Sequence, residues 1–79
     1  MNAYLPRYFI VGERPVKFVA TPDGGMDVLA FDWKTGEFVR EMRYLSKCSQ
    51  GGGEVDEVEE GAFEAKVALE VAEIRAKGG

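Results

Sequence analysis

Seventy-nine residues with 46% hydrophobic and 30% charged side chains describe one small globular domain rather than a disordered tail. The net charge is −4, histidine is absent and Cys48 is the only cysteine, which excludes a disulfide framework, a zinc cluster and histidine-based catalysis within one chain. No run approaches the roughly 18 apolar residues of a membrane span, and residues 1–15 lack the basic and apolar regions of a signal peptide.

Tyr8-Phe9-Ile10-Val11 is a short β-rich run closed by Gly12 and Pro15. Val16 to Ala20 alternates as a second strand, and Thr21-Pro22-Asp23-Gly24-Gly25 supplies a turn. Met26 to Trp33 is a third strand. Asp32-Trp33-Lys34-Thr35-Gly36-Glu37 then predicts a tight hairpin, with Asp32 bonding the turn and Gly36 taking positive φ. If Asp32 pairs with Glu37, Phe31 lies opposite Phe38 and Leu29 opposite Arg40 on one face, with Val28, Ala30 and Val39 on the other. Neither face is cleanly polar, so both are expected to be covered in part. Phe38 to Leu45 returns as the hairpin's second strand. Ser49-Gln50-Gly51-Gly52-Gly53 falls in a Gly-rich loop spanning 48–54.

Val55-Asp56-Glu57-Val58 either adds an edge strand or begins a helix. From Glu59 to Lys77 there is no proline, and Ala, Glu, Lys and Leu dominate, which predicts a helix over 59–77. Phe63, Val67, Val71 and Ile74 form a stripe that should pack on the sheet. Ala65, Ala68, Leu69, Ala72 and Ala76 lie on much of the remaining surface, where the small residues either let another element approach closely or simply promote helix. Acids at the helix start (Glu59, Glu60, Glu64) and bases at its end (Arg75, Lys77) complement the macrodipole, and Gly78-Gly79 closes it. The expected fold is therefore a single α+β domain over 1–79. It would contain a β-meander over 1–47, forming a three- or four-stranded antiparallel sheet, packed by one C-terminal helix.

Charge divides unevenly. Residues 1–47 hold seven bases and six acids; residues 48–79 hold three bases and eight acids. The acidic group Glu54, Asp56, Glu57, Glu59 and Glu60 reads as a dipole-favoured helix start or as a docking surface for a basic partner, and it lacks the pattern of a calcium loop. Gly51-Gly52-Gly53 lacks the Lys-Ser/Thr and spacing of a phosphate-binding loop. Arg40, Arg43, Tyr44 and Lys47 make a basic and aromatic set of the kind that stacks nucleotides, but the net negative charge opposes phosphate attraction. Cys48 beside Lys47 has no histidine to act as its base, and pairs such as Asp27 with Asp32, or Glu37 with Glu41, are ordinary charged strand surface. No cofactor, metal ligand set or catalytic residue is expected.

The Gly78-Gly79 end is shared with ubiquitin-like sulfur carriers, in which a strand leads into an extended tail; here Ala72 to Lys77 reads as helix. Most of the chain, through its Pro15-Val16-Lys17-Phe18 strand, Thr21–Gly25 turn, Thr35-Gly36-Glu37-Phe38 hairpin and Val55–Val58 segment, is similar to small uncharacterised bacterial proteins of mobile-element type, phage- or integron-borne. In size and charge it also looks like mobile-element inhibitors of defence systems, anti-CRISPR-like or immunity-like. That likeness carries over no functional residue; an inhibitor of this kind would use the acidic segment, Glu54, Asp56, Glu57, Glu59 and Glu60, to dock a basic partner. A chain this short buries only about 60% of its unfolded surface, and without disulfide or metal it gains most from self-association. The expected role is noncatalytic protein–protein contact, as a homodimer through Ala65, Ala68, Leu69, Ala72 and Ala76 or a sheet edge, in the reducing cytoplasm that a lone thiol suggests.

Overall fold

A computed structural model describes residues 5–50 and 53–78. In chain order it contains β1 (Arg7–Val11), β2 (Arg14–Ala20), β3 (Met26–Asp32), β4 (Glu37–Arg40), α1 (Arg43–Gln50), β5 (Val55–Val58) and α2 (Glu60–Gly78). The strands form one antiparallel sheet in the order β4-β3-β2-β1-β5. The architecture is α+β, as the sequence predicts, but the sheet has five strands rather than three or four. The first four make a meander, and β5 returns to pair outside β1, with Tyr8 opposite Val58 and Val11 opposite Val55.

Turn chemistry sets these registers. Gly12 and Glu13 join β1 to β2, and Gly12 at φ 61° supplies the positive torsion that a two-residue hairpin needs at its first loop position. At the β3–β4 hairpin the Asp32 carboxylate accepts from the Lys34 N–H at 2.9 Å, and the Asp32 carbonyl accepts from the Gly36 N–H at 2.8 Å. The resulting pairs are those expected: Asp32 with Glu37, Phe31 with Phe38, Ala30 with Val39, Leu29 with Arg40. Gly36 sits at φ 75°, where a Cβ is strained against the backbone although the space around it is open. Gly36→Ala is therefore expected to lower unfolding free energy by about 1–2 kcal/mol, read as a fall in the urea midpoint at unchanged slope.

Each sheet face carries its own apolar layer. Phe9, Val11, Val16, Phe18, Val28 and Ala30 alternate onto one face and pack with Cys48, Tyr44 and Leu45 of α1. The opposite face presents Tyr8, Phe31 and Phe38. There Phe63 of α2 lies 4.8 Å from the Tyr8 ring and stacks on Phe38 at 5.8 Å. Two helices thus sandwich the sheet, and the mixed character of both faces follows from it.

The helix α1 replaces two expectations, the strand running to Leu45 and the loop beginning at 48. Strand β4 stops at Arg40, where the Glu41 N–H makes a last ladder bond to the Val28 carbonyl at 2.9 Å. The apparent alternation of Phe38, Met42 and Tyr44 is not a strand face, because Met42 is exposed and Tyr44 belongs to the helix. Tyr44, Leu45 and Cys48 instead share a helical stripe over a single turn. Residues 51, 52 and 79, which complete the expected Gly-rich loop and helix stop, lie outside the described residues.

Candidate functional site

Helix α2 has two apolar sides. Its inner stripe holds Phe63, Lys66, Val67, Glu70 and Ile74, at the i, i+3, i+4 spacing of one face, and Val71 at its margin. The buried Glu70 stands where the sequence reading placed only hydrophobic residues. On the outer side Gly61, Ala62, Ala65, Ala68, Leu69, Ala72 and Ala76 are all exposed. At 100° per residue they span a wedge of roughly 120° that contains no charged side chain. Leu69, 55% exposed, is the most solvent-facing large apolar residue among those described. Exposed Glu64 and Arg75 border this wedge on one side and Glu73 on the other. The structure therefore leaves the five candidate interface residues together on one accessible face.

The acidic candidates fare differently. All five, Glu54, Asp56, Glu57, Glu59 and Glu60, are exposed on β5 and the residues around it. Two are paired with a cation. The Arg7 guanidinium grips Glu57 through two hydrogen bonds, at 2.8 and 2.9 Å, and holds its carboxyl below the usual carboxylate range. Lys47 pairs with Glu54, and burial, with the nearby charge of Glu60, pushes the Tyr8 hydroxyl up. Two of the five negative charges that would attract a basic partner are thus balanced within the chain.

The basic and aromatic set is divided between two elements. Arg40 ends β4, and its Nε lies 2.8 Å from Asp27 Oδ1 in an ionic contact without hydrogen-bond alignment. Arg43, Tyr44 and Lys47 lie on α1 rather than on a strand and border a cleft of about 340 Å³. Arg43 pairs with Glu41 at 3.1 Å, and Lys47 with Glu54. Each cation of the set meets a carboxylate of its own chain, which leaves little free positive charge for phosphate. Burial pushes the Cys48 thiol up despite nearby Arg7 and Lys47, so it is a core side chain rather than an activated nucleophile.

A polar cluster that the sequence reading missed lies at the hairpin end of the sheet. The Trp33 indole N–H donates to Glu70 Oε1 at 2.6 Å. Lys66 Nζ lies 3.1 Å from Glu70 Oε2 and 2.9 Å from Glu13 Oε2. Arg14 wraps the same end: its Nε donates to the Phe31 carbonyl at 2.7 Å, and its guanidinium lies 5.6 Å from the Trp33 ring and 5.5 Å from Tyr44. Trp33 therefore connects the α1 layer to α2. The signal was present in the helical wheel, which puts Glu70 in line with Phe63 and Ile74. Reading only hydrophobic residues into that stripe concealed it.

Two clefts flank α2. One, about 390 Å³, lies between Trp33 and Glu70, Glu73, Ile74 and Lys77. The other, about 370 Å³, lies between the sheet and the helix's first half, beside Tyr8, Lys17, Phe38 and Phe63. Among the described residues no helix is long and apolar enough to cross a membrane, and no group of three or more acidic, Cys or His residues is placed to hold a metal ion. The chain matches no protein-family model, no curated protein and no solved structure.

Proposed function

We propose that this chain is a small noncatalytic protein that acts through protein–protein contact and first of all through contact with itself, pairing α2 with α2 of a second copy. The observation that carries this reading is the uncharged outer wedge centred on Ala65, Ala68, Leu69, Ala72 and Ala76. A helix that is polar outside needs no partner; one that is apolar on two opposite sides gains by covering the second. Small side chains let two such helices approach closely, with Leu69 as the large residue available to fill the contact.

Charge favours an antiparallel pair. Glu59, Glu60 and Glu64 cluster at one end of α2 and Arg75 and Lys77 at the other. Antiparallel packing about a two-fold axis near the middle of the helix sets acids of one copy beside bases of the other and opposes the helix dipoles. Parallel packing would align like charges.

Sedimentation equilibrium tests the reading directly. The wild-type protein is expected to dimerise at micromolar concentration. Leu69→Glu, which keeps helix propensity, should weaken association at least tenfold, about 1.4 kcal/mol, without changing the far-ultraviolet spectrum. A wild-type monomer at high micromolar concentration, or a dimer indifferent to this substitution, overturns it.

A further inference from the structure

Lys17 occupies an unusual position. It lies on β2, the central strand, on the face covered by α2, between Tyr8 and Leu29 of the neighbouring strands. Its ammonium stands 4.5 Å over the Phe38 ring and has no carboxylate partner among the described residues. The other cations bordering the α2 layer are treated differently, since Lys66 is held by two carboxylates and Arg40 by Asp27. Lys17 opens into the 370 Å³ cleft between the sheet and the first half of α2. That volume is at the small end of the roughly 300–1,000 Å³ typical of ligand sites.

Three rings line this cleft, Tyr8, Phe38 and Phe63, and Phe63 is near both of the others. The opposite, helical wall carries the carboxylates of Glu60 and Glu64. A cation on the sheet side, anions on the helix side and aromatic surface between them call for a ligand of both charges with a flat apolar body. A simple anion would meet Glu60 and Glu64, and a simple cation would meet Lys17. We infer that this cleft binds a free aromatic α-amino acid, its carboxylate on Lys17, its ammonium toward Glu64 and its ring beside the half-buried Tyr8 and Phe38. Such a ligand would bridge the sheet to α2, and its site meets the edge of the outer wedge proposed for self-association at Glu64 and Ala68.

Amide nitrogen–proton correlation spectra of the full chain, titrated with L-phenylalanine, phenylacetate and phenethylamine, test this assignment. L-phenylalanine should give saturable shifts around Tyr8, Lys17, Phe38 and Phe63, and the singly charged analogues should bind at least about tenfold more weakly. Lys17→Met should abolish the shifts, while Lys17→Arg retains them and Glu64→Gln weakens them. Absence of saturable shifts overturns the inference, as does equal binding of phenylacetate or phenethylamine. Unchanged binding by Lys17→Met does the same. If Lys17→Met fails to fold, the comparison of the three ligands on the wild-type chain decides.

Discussion

Phe31→Ala is expected to cost about 3–5 kcal/mol of unfolding free energy, the largest loss from any single truncation on the α2 side of the sheet. Phe31 has no solvent exposure, the greatest volume among the fully buried side chains, and a place on β3 between β2 and β4. Its ring meets Trp33 edge-on at 6.0 Å and Phe38 edge-on at 5.7 Å. Removing it leaves a cavity that neither neighbour can fill. Trp33 is fixed by its bond to Glu70, and Phe38 by its stack on Phe63. The Phe31 carbonyl also receives Arg14, so backbone relaxation around the cavity would strain that bond.

Against the roughly 4–12 kcal/mol expected for 79 residues, such a loss consumes a large part of the total. A urea titration should show the midpoint falling steeply or the variant unfolded at room temperature. Phe31→Leu should cost far less, about 1 kcal/mol, because it conserves most of the volume. A cost below about 1 kcal/mol for Phe31→Ala would mean that the aromatic layer between sheet and α2 is not packed as described.

That layer also shows what the sequence made legible. The Phe31–Phe38 pair could be read from the Asp32-to-Glu37 loop alone, because loop length and a glycine with positive φ fix a hairpin's register, and one residue of slip would exchange its faces. The Gly12-Glu13 loop carries the same kind of signal for β1 and β2. Pro15 obscured it by ending what looked like a strand, although in the fold it is a fully buried residue at the beginning of β2. Helix α1 was harder. It is eight residues long, a length at which intrinsic propensity does little and packing of Tyr44, Leu45 and Cys48 on the sheet decides. Alternation of Phe38, Met42 and Tyr44 imitated a strand over the same stretch. The pairing of Val55–Val58 outside β1 depends on contacts about 45 residues distant, which no local pattern carries. The candidate site divides along the same line: the uncharged wedge of α2 is periodic and visible, as is the i,i+4 pair of Lys66 with Glu70, whereas Phe38 under Lys17 and Trp33 on Glu70 come from a separate strand and turn.

Glu70 is the second residue whose loss should be severe, and it acts by holding distant segments together. It is 5% exposed, yet both carboxylate oxygens are used, one by the Trp33 indole and one by Lys66. Through Lys66 the contact continues to Glu13 in the β1–β2 turn. The second half of α2 is thereby joined to both hairpins at that end of the sheet. Glu70→Ala removes the acceptor and leaves a half-buried ammonium and an indole N–H without it. The cost should be about 2–4 kcal/mol, reduced to the extent that Glu13 retains Lys66 and water reaches Trp33. Glu70→Gln keeps an acceptor for Trp33 but loses the charge, and it should fall between alanine and wild type.

Acid should act on the same contact. The Trp33 hydrogen bond first, and then the Lys66 ammonium, hold the Glu70 carboxyl below the usual carboxylate range, against the opposing effect of burial. A carboxylate whose pKa is lower folded than unfolded contributes stability above its unfolded value of about 4.3, and that contribution disappears as pH falls through the folded value. The Glu57–Arg7 pair has the same sign, but it is exposed at the β5 edge and weighs less. Lys66, raised by Glu13 and then Glu70, stays charged throughout this range. Unfolding free energy should therefore decline as pH drops below about 4, and Glu70→Gln should flatten that decline. Because Trp33 is the sole tryptophan, its fluorescence reports the contact directly. The emission change on acidification should be present in wild type and absent in Glu70→Gln at pH values where both remain folded. An identical acid profile in the two proteins would place the pH dependence elsewhere and remove Glu70 as the joint between α2 and the hairpins.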